Sequence, residues 1–206
     1  MDKKSNGVFI CVEGPNGAGK TTFVKKLYSE LCENHNVFLT KEPTNTELGN
    51  LCRNLEGKLD KLSYAYLICA DRCNHIQTDI LPHINSEEIV ISDRYIASSL
   101  VYQGFDGVPN DIIWKLNKNF FIPEINIFIL ADEKVLADRL SERNHFSDFE
   151  KRMTRGEELK SYIQAQDFLI KKGYNCITLY NNTIDELDKN VIIAYNMIKQ
   201  FLGVFE

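Results

Sequence analysis

Residues 14–21 read GPNGAGKT and are separated by Glu13 alone from the apolar run 8–12, VFICV. A strand, then Gly-x-x-x-x-Gly-Lys-Thr, then a helical pattern restricts the chain to folds in which that turn cradles phosphate. Gly14, Gly17 and Gly19 permit backbone conformations and close approaches that a Cβ would block, so successive N–H groups can ring a phosphate. The following helix adds its positive N-terminal end. The expected triphosphate site is Gly14, Pro15, Asn16, Gly17, Ala18, Gly19, Lys20, Thr21 and Thr22. In it Lys20 reaches the β- and γ-phosphates and the Thr21 hydroxyl a Mg²⁺ ion. A purely structural glycine-rich turn would not require the lysine, the threonine and both flanking elements in this order.

With 206 residues the chain suits one α/β domain with a substantial core, and no second domain is expected. The formal net charge of −5 is spread along the sequence without a long Lys/Arg block, so neither a nucleic-acid groove nor a polybasic membrane anchor is expected. The six cysteines contain no Cys-x-x-Cys pair, and several sit in apolar runs, where a thiol behaves as a small hydrophobe. The first apolar segment is too short for a secretory signal or a membrane span, and a cytoplasmic location is expected.

Short β-rich runs alternate with longer helical patterns, the sequence sign of a parallel sheet with helices on both faces. Expected strands are 8–12, 37–40, 89–92, 125–130 and 176–180; expected helices are 21–33, 62–81, 96–102, 111–119, 133–142, 150–172 and 185–201. In open sheets of this kind ligands collect at the carboxyl ends of the strands. There the informative residues fall: the glycine loop after the first strand, Glu42 and Pro43 after the second, Asp93 and Arg94 after the third.

Asp93 can hold a metal-bound water and Arg94 can grip phosphate oxygens with its two-pronged fork. The bland alternative is an ordinary ion pair. Arg72, in the helical run SYAYLICADRCNHI, either faces the pocket or pairs with Asp71 or Asp79 on an exposed helix face. Ser98, Ser99, Tyr102 and Gln103 bring hydroxyls, an aromatic ring and an amide within two turns, the mix that holds a sugar and a base edge. Arg143, Asn144, His145, Arg152 and Arg155 form a basic patch, either a lid closing over the triphosphate near residues 143–155 or a solvated loop. Trp114 and the pair Phe120 and Phe121 read as core or interface rather than as a base platform.

Over essentially its whole length the chain resembles the thymidylate kinases. FICVEGPNGAGKTT (9–22) resembles the family's first strand and P-loop, and DRYIASSLVYQG (93–104) resembles its Asp-Arg-Tyr-x-x-Ser-Ser-x-Ala-Tyr-Gln-Gly motif, with Val101 in place of Ala. Lys41-Glu42-Pro43, Ala70 to Arg72 and the run 123–130 match more weakly. The resemblance implies a P-loop NTPase fold, a five-stranded parallel sheet, a homodimer, and phosphorylation of dTMP to dTDP by ATP with Mg²⁺. It implies catalytic roles for Lys20, Arg94 and Arg143, the last as lid arginine, and metal roles for Thr21 and Asp93. It places Glu42, Pro43, Ile68, Arg72, Arg94, Ser98, Ser99, Tyr102 and Gln103 around the acceptor, with Arg94 on its phosphate and Arg72 on thymine.

The chain departs from the family pattern at four places. Asn16 stands where an Asp or Glu is usual, Ile68 where a Phe commonly stacks on thymine, and Thr44-Asn45 where Gly-Gly follows the proline. Ser147-Asp148-Phe149-Glu150 replaces Asp-Arg-x-Glu and lacks one arginine, for which Arg139, Arg152 and Arg155 are the candidates. All four lie around acceptor or lid. They leave two rival expectations: a related kinase with a changed acceptor, and a non-catalytic regulatory module that binds a nucleotide through its P-loop.

Overall fold

The computed structural model describes residues 7–142 and 148–203. Its centre is a sheet of five strands, β1 (Val8–Glu13), β2 (Val37–Lys41), β3 (Ile89–Asp93), β4 (Ile125–Leu130) and β5 (Cys176–Tyr180), in the order β2-β3-β1-β4-β5. Every pairing is parallel. β1 and β4 are buried along their whole length, as β-branched and aromatic runs covered on both faces should be.

The strands are joined by α1 (Lys20–Cys32), α2 (Glu47–Leu55), α3 (Lys61–His75), α4 (Leu81–Asn85), α5 (Ile96–Phe105), α6 (Asn110–Asn117), α7 (Glu133–Ser141), α8 (Asp148–Arg152) and α9 (Arg155–Lys171), and α10 (Ile184–Leu202) follows β5. Side-chain alternation in β1 sorts them into two layers. Val8, Ile10 and Val12 face one core with Phe23 and Leu27 of α1, Leu136 of α7 and Val191 of α10. Phe9 and Cys11 face the other, with Ala65 of α3, Leu100 of α5, Ile113 of α6 and Leu169 of α9.

All five strands lie within a residue of their expected bounds. Two helical expectations need correction. The pattern 150–172 is broken: α8 ends at Arg152, and Thr154 starts α9 as its N-cap, accepting from the Glu157 amide while Glu157 accepts in return from the Thr154 amide. This capping box satisfies donors that a continuous helix would have used differently, so the chain restarts there. The pattern 62–81 runs on to Asn85 through a π-helical turn, Ile76–Ile80. α2 was not expected at all; Thr46 caps it by accepting from the Gly49 amide.

β3 to β4 is a crossing over β1, so the connections part at the carboxyl end of β1. Open α/β sheets bind ligands at such a switch point.

Candidate active site

The glycine loop fits because two positions admit no side chain. Gly14 has φ 144°, and a Cβ there would stand 2.0 Å from the Ile129 carbonyl oxygen of β4. Gly19, at φ 87°, is the N-cap of α1, and a Cβ would stand 2.4 Å from Asn181 Nδ2, which donates to the Ala18 carbonyl at 2.6 Å. Arg139 braces the loop from outside, donating to the carbonyls of Gly17 at 3.3 Å, Asn181 at 2.8 Å and Asn182 at 3.1 Å. Arg139 thus braces the glycine loop against the segment after β5.

Lys20 is buried and donates from Nζ to the Pro15 carbonyl at 2.9 Å. Burial and the neighbouring Arg94 guanidinium pull its pKa down to about 7. Beside it the Thr21 hydroxyl lies 3.5 Å from Asp93 Oδ2, and Asp93 Oδ1 is buried with no hydrogen-bond partner among the described residues. A hydroxyl and an unpartnered carboxylate oxygen are the hard oxygen donors that Mg²⁺ takes, so the residues present fit that ion.

Arg94 is held in an unusual conformation. Its φ is 79°, its amide donates to the Val12 carbonyl at 2.9 Å, and its own carbonyl accepts from the Ser92 hydroxyl at 2.8 Å. Left-handed backbone at a non-glycine residue persists only where surrounding contacts impose it. Here it turns the guanidinium onto Asn16 Oδ1 at 2.7 Å, Ser98 Oγ at 3.2 Å and the Tyr162 hydroxyl. Nearby hydroxyls and the carboxylates of Asp93 and Glu13 outweigh desolvation and raise its pKa well above the usual value. The guanidinium stays charged.

Behind this wall, fully buried Glu13 accepts from the amides of Tyr95 at 2.8 Å and Ser98 at 3.2 Å and from the Ser98 hydroxyl at 2.6 Å. It thereby satisfies first-turn donors of α5, which has no side-chain cap of its own. Burial raises its pKa. Arg72, 1% exposed, donates to Glu42 Oε2 at 2.8 Å, Ser99 Oγ at 3.1 Å, the Tyr95 carbonyl at 2.9 Å and Asn117 Oδ1. The pairing with Asp71 or Asp79 on an exposed face is thus overturned. Asp71 instead fixes Thr44, accepting from its amide at 2.8 Å and its hydroxyl at 2.6 Å.

A cavity of about 280 Å³ opens in front of these groups. Glu42, Pro43, Ile68, Arg72, Arg94, Ser98, Ser99, Tyr102 and Gln103, the residues expected around an acceptor, all line it. A second cavity is lined by Gly17 and Gly19 of the glycine loop with Lys20, Thr21, Thr22 and Asp93. Asn16 and Arg94 line both.

The family model for thymidylate kinase matches residues 12–191. The chain belongs to the thymidylate kinase family. It is 35% identical over 189 residues to a "Probable thymidylate kinase" of Methanococcus aeolicus, covering 89% of this chain and 93% of that one. With a "Probable thymidylate kinase" of Pyrococcus horikoshii it shares 41% over 157 residues, 70% of this chain and 75% of the other. The crystal structure of thymidylate kinase from Ehrlichia chaffeensis superposes with a TM-score of 0.71 at 28% identity, covering 93% and 98% of the two chains.

The departures from thymidylate kinase motifs acquire partners in the fold. Ile68 is half-buried, and among the rings lining the same cavity is Phe149 of α8, 7% exposed and 4.8 Å between centroids from Tyr102. Arg152 is tied to Asp148 and Asp106 at 2.7 Å each, away from the glycine loop. Arg155 donates to Glu158 at 3.3 Å, and Glu158 in turn holds Asn16. Arg143, with Asn144, His145 and Ser147, lies outside the described residues.

Sequence reasoning missed Glu158 and Tyr162, which face the site from α9, and Asn117. Their signal was weak: polar residues four apart on a helix look like a solvated face until the fold buries them. Trp114 packs as core, edge-on to Phe168 at 5.8 Å and Tyr174 at 6.1 Å.

Proposed function

We propose that this chain transfers the γ-phosphoryl group of ATP to dTMP, giving ADP and dTDP. The observation that carries the reading is the shared wall: Asn16 and Arg94 line both the glycine-loop cavity and the acceptor cavity. A donor phosphate on Lys20 and an acceptor phosphate on Arg94 would therefore meet, and phosphoryl transfer asks the protein for little more than alignment and neutralised charge. Lys20 and the loop amides hold the donor, Arg94 aligns the acceptor, and Ser99, Tyr102 and Gln103 position sugar and base. Thr21 and Asp93 would hold Mg²⁺, which when bound neutralises charge developing on the phosphates. The reading includes Arg143 as the lid arginine, one domain with a closing segment near residues 143–155, a homodimer and a cytoplasmic setting, all supported by likeness to the family. No helix of the described residues is long and apolar enough to cross a membrane.

ADP release measured across the monophosphates of thymidine, deoxyuridine, deoxycytidine and the purines tests this. ADP formation that depends on dTMP is the expected result. Dependence on another acceptor alone would mean a changed substrate, and binding of ATP without acceptor-dependent ADP would mean a regulatory module.

Two further results are expected. With its pKa near 7, Lys20 is partly neutral in the free protein at neutral pH. A triphosphate beside it favours the charged form, so ATP binding at pH 7.5 takes up a proton. Calorimetry in buffers of different ionisation enthalpy reads that uptake, and its absence in a Lys20→Met variant assigns it. Ile68→Phe adds a stacking face to the acceptor cavity, worth about 0.5–1.5 kcal/mol for an aromatic pair. KM for dTMP should fall up to about tenfold with KM for ATP unchanged. A rise instead would mean that Phe149 already occupies that place and that the pocket is shaped around it.

A further inference from the structure

Glu158 is 1% exposed, on α9, far in sequence from every motif of the site. Its Oε1 accepts three bonds: from the Asn16 amide nitrogen at 3.0 Å, from Asn16 Nδ2 at 3.0 Å and from the Tyr102 hydroxyl at 2.8 Å. Its Oε2 faces Arg155 Nη1 at 3.3 Å. On the other side of Asn16, Oδ1 accepts from Arg94 Nη2 at 2.7 Å, and Nδ2 also reaches the Tyr102 hydroxyl at 3.2 Å. An amide offers a donor toward a carboxylate and an acceptor toward a guanidinium at once, on two separate atoms. The two charges fix which way the amide points.

We infer that Glu158 is the positioning residue of the acceptor-phosphate site, acting from α9 through the uncharged Asn16 to orient Arg94. The inference rests on the dTMP kinase reading. A neutral amide steers the guanidinium and leaves its charge for the ligand, while Glu158 holds the amide from behind. Asn16 and Glu158 are then a matched pair. A carboxylate at 16 would stand about 3 Å from Glu158 Oε1, the distance at which two carboxylates cannot both ionise freely.

The test is a charge exchange in the full-length protein: Asn16→Asp, Glu158→Gln, and the two together, each assayed for KM and kcat with dTMP and ATP and for melting temperature. Asn16→Asp should raise KM for dTMP about tenfold, as one lost charge-assisted contact does, and by more than it raises KM for ATP, whose cavity Asn16 also lines. Adding Glu158→Gln should return KM for dTMP to within about threefold of the parent, since the introduced carboxylate then meets an amide donor. A purely structural role would lower melting temperature without this rescue. The inference is overturned if Asn16→Asp leaves KM for dTMP unchanged, if the double variant is no better than Asn16→Asp, or if both KM values move together. Should Glu158→Gln alone prove unstable, Asn16→Asp and the double variant still decide the matter. A parent enzyme that forms no ADP with dTMP overturns the kinase reading and this inference together; normal parent turnover without rescue overturns this inference alone.

Discussion

Replacing Lys20 by Ala will lower the rate of dTMP-dependent ADP formation by about 10²–10³-fold, the usual loss when one preorganised electrostatic contact to a developing charge is removed. Lys20 is the first residue of α1, where alanine is the best helix former, so the element should persist. Among the described residues its ammonium donates to the Pro15 carbonyl, which also accepts from the Ala18 amide at 3.2 Å and so keeps a partner after the substitution. Far-UV circular dichroism and melting temperature should therefore stay close to those of the parent. ATP binding should weaken less than turnover, because the loop amides and the α1 N-terminus still hold the phosphates. Near-normal transfer by a folded Lys20→Ala variant would remove this loop from the reaction.

The glycine loop is legible in the amino-acid sequence for a physical reason. Gly14 and Gly19 are demanded by backbone clashes with Ile129 and Asn181, so glycine at those positions is nearly obligatory and leaves a fixed spacing in the chain. The strands are equally legible, since β1 and β4 are covered on both faces and must be continuous apolar runs. The DRY segment stands out for the same kind of reason: Asp93 and Arg94 end a buried strand, where charge has no packing role.

What stayed hidden depends on tertiary partners. Glu158 and Tyr162 reach the site only because α9 packs against α5, and nothing in GEELKSYIQ separates a buried polar face from a wet one. α2 begins after a run of Thr and Asn and carries Gly49 in its interior, where a Cβ would stand 2.0 Å from the Thr44 carbonyl, so close packing overrides weak helix propensity. Arg72 illustrates the reverse error. Proximity in sequence suggested Asp71 as its partner, but residues adjacent in a helix do not share a face, and Glu42, thirty positions away, takes that place.

Arg94→Lys will weaken dTMP binding by about thirtyfold, the equivalent of about 2 kcal/mol for lost hydrogen bonds to a charged group, while Kd for ATP stays within about twofold. The backbone cost of φ 79° is borne equally by both residues, so the change isolates the head group. The guanidinium uses one fork to reach Asn16, Ser98 and Tyr162 while its face lies 5.3 Å from the centre of the Tyr102 ring. An ammonium is a point donor that cannot span those partners and present two parallel bonds to a phosphate. Titration calorimetry with each ligand separately reads the difference; equal weakening of both would place Arg94 with the donor or in the fold. The pH dependence supplies an independent sign. Arg94 remains charged across the working range, its pKa being raised, so parent binding should not fall through loss of its proton. A lysine in the same buried place starts from a lower pKa than an arginine and meets the same desolvation, which disfavours its charged form. As the pH rises it loses its proton and its charge before the guanidinium would. Binding of dTMP to Arg94→Lys should accordingly fall further between pH 7 and pH 9 relative to the parent, and a pH-independent ratio of the two affinities would mean that the substituted side chain has escaped to solvent and no longer faces the acceptor.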